Sequence, residues 1–416
     1  MGKFNCVIIC LGLCLLSNPW LNGQVTNKVF KESIKTVYLS QGLANEYITE
    51  NPCFALENQE NWNLQFDDLS LQSGNYSLRI IHCQSDWKQS NLSEIEYLEQ
   101  FNDVPLRNTA SSMGTKIPYQ HYQITLPKTR ISGNFIAMIY ANRNKKDTIC
   151  TRRYSIYQNE LTVAGKMSFA KTNTLRNTHQ ALEINLLYPD NYLISSEDAL
   201  KIEIRKNSQS ENQIKQFPRP IINSMERKIS FPFYNQENSI AGGNEYRMID
   251  ARSSQQKLSY VGSLQTENRY TEIITAPEQA QGNYSYVQRP DFNGAYVISN
   301  YENPNQALMC DYVWCQFNLK SNFMPNEKIY VVGAFNSYQK NLASEMTYQA
   351  NQGQYMNRIL IKQGIYNYQF TSDSPSNSML EGNHAQTENL YEVLIYFRKP
   401  GQRNDSLVGY QKIQFP

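Results

Sequence analysis

Residues 82–87 (HCQSDW) place a histidine, a thiol, a carboxylate and an indole within six positions of a chain that has only four histidines and four tryptophans. A zinc site needs three or four converging ligands, and His82 with Cys83 or Asp86 supplies two at most. His121 could join them, but no spacing requires it. A nucleophilic pair of Cys83 with a histidine would need a thiol of lowered pKa, for which the sequence provides no neighbour at known distance.

An architectural role explains the same residues more simply. Residues 76–83 alternate along a predicted strand, so HCQSDW begins at the end of that strand. There His82 and Asp86 would bond backbone groups, and Trp87 would pack on the edge of a core. We expect this role.

Carboxylates are the remaining catalytic candidates. Glu381, His384 and Glu388 lie within eight positions, and glycoside hydrolysis uses two carboxylates at a fixed separation. However, a Gly- and Asn-containing connection before a strand is ordinarily a loop. The sequence specifies no acid–base pair, nucleophile or metal cluster, so we expect no enzyme, no cofactor and no metal.

The amino-terminal residues predict export. Residues 1–23 have the charged, apolar and small-residue order of a secretory signal peptide, and no later segment is predicted to span a membrane. Its removal leaves five cysteines, an odd number, so at least one thiol stays unpaired within the chain. Buried free cysteines and long-range pairs both remain open; the five are Cys53, Cys83, Cys150, Cys310 and Cys315.

Composition narrows the class of partner. Lysine and arginine (39) nearly balance aspartate and glutamate (37), which argues against nucleic-acid binding. The 29 tyrosines favour strands and recognition surfaces, because tyrosine has an apolar body and a polar tip.

Alternating apolar residues predict half-buried strands throughout, for example at 135–139, 182–188, 200–204 and 391–397. Helical periodicity is nearly absent, and 93–101 is the best short candidate. We therefore predict an all-β fold of tandem immunoglobulin-like β-sandwich modules. Their predicted bounds are 24–158, 159–303 and 304–416.

Several phrases taken together resemble one family, the periplasmic plug of the type IX secretion system. They occur in order over nearly the whole chain: FDDL (66–69), HCQSDW (82–87), YQHY (119–122), SGNF (132–135), GGNEYR (242–247), DFNG (291–294), KQGIYNY (362–368) and LEGN (380–383). The sequence departs from the family pattern at Gln84, Tyr246 and Met248, which leaves the fold expectation intact.

The resemblance implies a non-enzymatic periplasmic protein. It would close the periplasmic mouth of a giant outer-membrane β-barrel translocon while no cargo passes. Loops on a rigid scaffold usually carry binding. We therefore expect partner contacts at Asn244, Tyr246, Arg247, Asp291, Asn293 and Tyr338.

The last module also resembles the β-sandwich glycogen-binding modules attached to amylase-type enzymes, through residues 329–338. In those modules an aromatic residue at the place of Tyr338 can stack on sugar, although we expect Tyr338 to pack against the sandwich. Two rival functions follow from the sequence. One is a carbohydrate-binding or glycan-processing periplasmic protein, and the other is an integral outer-membrane barrel, which the mixed strand faces oppose.

Overall fold

The structure, a computed structural model, describes residues 25–43, 46–70, 74–190, 200–304, 306–374 and 377–415. The predicted signal peptide at 1–23 lies outside these residues. The described chain forms sheets in which most strand pairs are antiparallel, with two short α-helices and two short 3₁₀ helices. The all-β prediction is therefore confirmed.

The first body consists of two packed sheets. One has the strand order β1-β10-β9-β5-β6 with β3 beside β10, and the other has the order β2-β4-β8-β7. Aromatic and aliphatic side chains of both sheets form one core between them. Its elements are β1 (Lys28–Val29), β2 (Ile34–Ser40), β3 (Cys53–Ala55), β4 (Asn63–Asp68), β5 (Tyr76–Cys83), α1 (Glu94–Tyr97), β6 (Val104–Pro105), β7 (Asn108–Ser111), β8 (Gln120–Thr125), β9 (Gly133–Ala141) and β10 (Thr148–Tyr157).

The middle body combines strands from two distant parts of the chain. One sheet has the order β11-β12-β15-β14 with β16 beside β12, and the facing sheet has the order β13-β27-β28. A shared apolar core lies between them. Its strands are β11 (Thr162–Phe169), β12 (His179–Leu187), β13 (Leu200–Lys206), β14 (Ile221–Asn223), β15 (Lys228–Ser230), β16 (Ser239–Ala241), β27 (Asn389–Phe397) and β28 (Ser406–Phe415).

The third body lies in the chain between those two parts. Its sheets have the orders β17-β26-β21, with β23 beside β26, and β18-β19-β22-β25-β24, with β20 beside β22. Ile48 of the first segment joins its core. Its elements are β17 (Arg247–Asp250), β18 (Val261–Thr266), β19 (Thr271–Thr275), β20 (Glu278–Gln279), β21 (Tyr296–Ile298), β22 (Tyr312–Lys320), β23 (Ile329–Val332), β24 (Thr347–Gln349), β25 (Gln354–Lys362), β26 (Gly364–Ser372) and α2 (Asn377–Glu381).

The strands of the first body pair among themselves within 24–158. The predicted boundary between 303 and 304, in contrast, runs through three sheets. β13 pairs with β27 along its whole length, from Leu200 opposite Phe397 to Lys206 opposite Tyr391. β21 and β19 likewise pair with β26 and β22. The reason is that strand pairing is set by the sheet, whereas turn signals mark only places where the chain changes direction.

Two predicted half-buried strands are buried on both faces. β9 and β27 lie in the centre of their sheets, and β9 has every residue buried. The outer face of the β9–β10 sheet packs against the β27–β28 sheet of the middle body, which covers the side expected to meet water. The expectation of half burial is therefore wrong for these strands, because the bodies pack sheet against sheet.

Candidate functional site

HCQSDW forms the end of β5 and the turn after it. His82 and Cys83 are consecutive strand residues, so their side chains point to opposite faces. The His82 Nδ1 lies 2.8 Å from the Ser90 hydroxyl. Burial lowers the pKa of His82 to about 4 and raises the pKa of Cys83 to about 12. A protonated, buried thiol is neither a nucleophile nor a metal ligand.

The rest of the turn has an architectural role. Asp86 Oδ1 accepts a hydrogen bond from Lys88 N over 3.1 Å. Trp87 is buried, with the guanidinium of Arg153 4.4 Å from its ring centre and that of Arg205, in the middle body, at 5.8 Å. The architectural prediction is confirmed for Asp86 and Trp87, whereas His82 bonds to a side chain rather than to the backbone.

The same turn docks on the loop between β27 and β28. Asp405 Oδ2 accepts hydrogen bonds from Ser85 N and Ser85 Oγ, at 3.1 and 2.8 Å. Gln84 Oε1 accepts from Asp405 N over 2.9 Å, and Gln84 Nε2 donates to Arg403 O over 2.8 Å. HCQSDW is therefore a contact between the first and middle bodies.

A buried polar network fills the adjoining sheet-on-sheet interface. Tyr396 Oη donates to Asn134 Oδ1 over 2.9 Å, and Ser155 Oγ donates to the same oxygen over 2.8 Å. Arg205 Nε donates to Glu203 Oε1 over 2.8 Å, and its Nη2 donates to Ser155 Oγ over 3.3 Å. All five residues are buried. Hydrogen bonds of this kind fix the relative position of two sheets, because a misplaced sheet would leave charged groups unpaired.

A second buried network joins the first body to the third. Asp67 Oδ2 accepts hydrogen bonds from Lys362 Nζ and Tyr312 Oη, each over 2.7 Å. Asp67 Oδ1 lies 2.7 Å from His121 Nδ1, and Tyr312 Oη lies 2.6 Å from Thr36 Oγ1. Burial acts to raise the pKa of Asp67, but the neighbouring Lys362 and His121 outweigh it and hold the pKa below its usual value. The three bodies are thus interlocked by buried charge as well as apolar surface.

Four of the six predicted partner-contact residues form one cluster. Tyr246 N donates to Asp291 Oδ2 over 2.6 Å, and Asn293 N donates to Asp291 Oδ1 over 2.7 Å. Tyr338 Oη lies 3.3 Å from both Tyr246 Oη and Gly294 O. Tyr246 is buried, and burial raises the pKa of Asp291 to about 6. Tyr338 therefore packs within the protein in this structure, as part of an internal junction.

The remaining two predicted residues lie beside the cluster. Arg247 is buried and forms ion pairs with Glu278 and with Glu381, the latter over 3.0 Å. Its guanidinium also lies over the Phe370 ring. Asn244 Nδ2 donates to Glu381 O over 2.7 Å. Arg247 and Glu381 satisfy each other, so Glu381 is occupied by a structural ion pair.

An exposed segment that sequence reasoning missed crosses the surface next to Asn244. We call residues 284–290 the strap. Tyr284 Oη donates to Gln279 Oε1 over 2.7 Å, and Tyr286 Oη donates to Glu245 Oε1 over 2.5 Å. The backbone N–H and C=O groups of residues 285–290 form no hydrogen bond with any residue that the structure describes. The strap therefore presents free backbone donors and acceptors to solvent.

The strap borders an open groove of about 820 Å³. Tyr260, Tyr284 and Val287 are half-exposed or more along it, and Arg289 is exposed at one end. The groove is lined by Asn244, Tyr260, Glu278, Gln281, Tyr284, Val287 and Arg289, among others. Exposed aromatic residues beside an extended backbone suit recognition of another chain, because rings supply area and free backbone groups supply hydrogen bonds.

The described residues contain neither a metal-ligand cluster nor a helix able to span a membrane. No group of three or more His, Cys, Asp or Glu side chains there lies close enough to hold a metal ion. All five cysteines after residue 23 are free thiols, and all except the half-buried Cys53 are buried. No helix in the described ranges is long and apolar enough to cross a membrane.

Comparison with known proteins identifies the first body. Residues 34–158 match the family model described as type 9 secretion system plug protein 1st domain. The first body is a plug-family domain. The plug resemblance is therefore confirmed over these residues. The family is not a known enzyme family.

Solved structures extend the comparison beyond that domain. A crystal structure of a hypothetical protein from Parabacteroides merdae matches with a TM-score of 0.84 and 25% identity, over 94% of this chain and 100% of that chain. The two proteins therefore share the fold of all three bodies. A structure of titin domains I67–I69 aligns with a TM-score of only 0.12 at 8% identity, too low to bear on the fold. No curated protein matches the chain.

The strap and the pair of Asp67 and Lys362 were not predicted from the sequence, for two different reasons. The strap reads as YSYVQRP, polar and aromatic with a terminal proline, and carries no alternation that predicts a strand. Its aromatic content was a usable signal, since exposed tyrosines are enriched where proteins bind proteins. The buried pair of Asp67 and Lys362 gave no such signal, because 295 positions separate its members.

Proposed function

We propose that the protein is a non-enzymatic periplasmic plug. It binds the periplasmic opening of the giant outer-membrane β-barrel translocon of type IX secretion and occludes it when no cargo passes. The observation that carries this proposal is the match of residues 34–158 to the first domain of the plug family. The protein would lie in the periplasm and meet the outer membrane only through the translocon.

The interlocked bodies support an occluding role. A stopper closes a pore only if its parts keep their relative positions, and here the first body is fixed to the other two by the Asp405, Glu203 and Asp67 networks. Free hinges between modules would leave gaps that change with time. Buried, hydrogen-bonded ion pairs are costly to break, so they favour a single arrangement of the bodies.

The strap groove is the surface that we propose to meet the translocon. Its exposed rings and free backbone groups fit an extended loop or strand edge of a β-barrel protein, which offers complementary backbone hydrogen bonds. Of the predicted contact residues, Asn244 lines this groove, and Tyr246, Asp291 and Asn293 hold the end of the strap. In this proposal Arg247 and Tyr338 support the surface from inside.

A native pull-down tests the proposal. Tagged protein in its own host should recover a very large outer-membrane β-barrel protein, as identified by mass spectrometry. Deletion of the gene should leave secretion largely possible but admit large antibiotics through the outer membrane. Recovery of glycan-utilisation proteins without any giant barrel would instead favour the carbohydrate-binding alternative.

Paired variants test the surface. Val287→Asp with Tyr284→Ser should reduce recovery of the barrel while leaving the melting temperature unchanged. Leu342→Asp is the matched control, since Leu342 is 87% exposed and lies on a different loop. Equal loss of barrel recovery in both variants would argue against the strap groove and leave the plug function standing.

A further inference from the structure

A second cavity lies away from the strap, between the first and third bodies. It is a cleft of about 320 Å³ between β2 on one side and β25 with the turn around 335–344 on the other. Cavities of this size at the junction of two folded units commonly hold small molecules. Its lining includes Arg152, Tyr296 and Ser337.

Arg152 is a buried cation without an acidic contact. The residue is 8% exposed, and its Nε donates to Val37 O over 2.8 Å. Its Nη1 donates to Thr151 O over 3.3 Å, and it forms no ion pair with any residue in the described ranges. Buried charges in proteins are normally paired, because a lone ion is costly to remove from water. The guanidinium therefore retains N–H donors that no carboxylate of the described residues contacts, although the charge of Glu50 lies nearby.

Two hydroxyl groups beside Arg152 also lack partners. Tyr296 and Ser337 both line the cleft, and neither hydroxyl group forms a hydrogen bond with a described residue, although Tyr296 is only 3% exposed. The Tyr296 ring stacks on Tyr366 at 5.3 Å, which fixes its direction. The cleft thus combines one cation with two neutral donors, the set that binds a carboxylate or phosphate oxygen.

Two non-glycine residues with left-handed backbone conformations line the same cleft. Thr36, Ser337 and Tyr338 have φ values of 50°, 53° and 52°, in the left-handed region that glycine prefers. Such residues each cost about 1–3 kcal/mol and collect at functional sites. Thr36 also lies where the pairing of β2 with β4 is irregular. Two of the three, Thr36 and Ser337, line the cleft.

The other charged residues near Arg152 leave its guanidinium available to an anion. Lys362 is neutralised by Asp67, and Lys31 pairs with Asp147, so neither competes for an anion. Glu50 lines a small cavity of about 10 Å³ together with Arg152, Tyr296 and Ser337, and its buried Oε2 has no hydrogen-bond partner among the described residues. That volume suits one water molecule, and Glu50 forms no direct ion pair with Arg152. The exposed Glu32 and the half-buried Lys35 complete the charged lining of the cleft.

We propose that this cleft binds a small ligand through an oxyanion group, a carboxylate or a phosphate, held by Arg152 with Tyr296 and Ser337. The guanidinium supplies charge and direction, because it binds two oxygens of one oxyanion at once. The two hydroxyl groups select an oxyanion over chloride by their positions. The site is independent of the plug proposal and would exist whether or not the strap groove meets a barrel.

Calorimetric titration of the full mature chain tests the site, with inorganic phosphate and acetate as probes in buffers matched for ionic strength with chloride. One of the two anions should bind with a stoichiometry of one and raise the melting temperature in a saturable way. Arg152→Gln should weaken that binding by about tenfold or more, since it removes the charge. The control Arg143→Gln, at an exposed position, should bind as the unchanged protein does.

A second variant tests the site even if Arg152→Gln does not fold. Tyr296→Phe with Ser337→Ala removes two hydroxyl groups and keeps Arg152, so it should fold and still bind several-fold more weakly. Absence of binding by both anions to the unchanged protein overturns the proposal. Equal binding to the unchanged protein and to either site variant overturns it as well, because the anion would then lie elsewhere.

Discussion

Ser85 Oγ donates a hydrogen bond to Asp405 Oδ2 over 2.8 Å, although 320 positions of sequence separate the two residues. The residues around Ser85 have the composition of a catalytic or metal site. In the folded protein they hold the loop between β27 and β28 against the first body. The bond therefore gives this stretch an architectural role at the contact between the first and middle bodies.

Asp405→Asn should destabilise the protein. The Asp405 carboxylate is 1% exposed and accepts hydrogen bonds from Ser85, Lys201 and Arg398. Because both cations are partly exposed, we expect a loss of about 2 kcal/mol in the free energy of unfolding at pH 7, as measured by urea denaturation. Asp86→Asn, in the same turn but half-exposed, is the control and should change stability little.

The Asp405 contribution should also depend on pH. Burial acts to raise the pKa of Asp405, but hydrogen bonds from Ser85 and Lys201 outweigh it and lower the pKa. The folded state therefore binds this proton less readily than the unfolded state, so the stabilisation is present above about pH 4 and is lost as pH falls further. The stability difference between the unchanged protein and Asp405→Asn should close in acid. A difference that persists there would contradict the assignment.

His82 should make the protein sensitive to mild acid. Burial lowers the pKa of His82 from 6.5 to about 4, so the unfolded state binds a proton first as pH falls. Its contribution to stability is unchanged above about pH 7 and declines between pH 6.5 and 4, by about 3 kcal/mol in total. In urea denaturation at pH 7 and 4.5, His82→Asn should show a smaller decline. Burial also lowers the pKa of His384, but less than that of His82, so His384→Asn should show a decline between those of His82→Asn and the unchanged protein.

Arg247 and Arg289 should respond differently to the same change. Arg247→Met leaves two carboxylates without their cation, so we expect a loss of about 3–5 kcal/mol in the free energy of unfolding. Arg289→Met, at an exposed position, should alter stability by less than about 0.5 kcal/mol. Equal stability of the two variants would mean that Arg247 is not the internal support described above.

A fragment of residues 159–303 should not fold by itself. Within it β13 would lack β27, the strand to which it is hydrogen-bonded along its whole length. The fragment would expose the apolar face that normally packs in the middle body. We expect no cooperative thermal transition by circular dichroism, whereas the mature chain should show one. A cooperative transition in the fragment would restore the boundary predicted from the sequence.

The sequence predicts strands better than it predicts which strands pair. Alternation at 182–188 and 391–397 correctly places β12 and β27, since period two is a local property. Neither the pairing of β13 with β27 nor the burial of both faces of β9 is local. Each depends on a second sheet whose strands come from a distant part of the chain. The turn signals therefore placed a predicted boundary inside these sheets.

The site was predictable only in part. Loop composition pointed to Asn244 and Asp291, and their contact with a partner stays a prediction. It did not distinguish a buried ion pair from an exposed contact, so Arg247 was expected at a surface although it is paired with Glu278 and Glu381 inside the protein. Arg152 carries no motif, and its lack of an acidic partner is visible only when the surrounding atoms are in place.

The interleaving of the middle body constrains how the protein folds in the exported location that we propose. A chain exported from its amino terminus would deliver β11, β12 and β13 early, and β27 and β28 only after the whole third body has followed. Until then β13 would offer an open edge, which other unfolded chains can extend into aggregates. The first body, whose strands all come from residues 28–157, can form before the rest of the chain arrives. Periplasmic chaperones that recognise extended strands should therefore bind the unpaired β13 until β27 arrives. The yield of folded protein should depend on these chaperones.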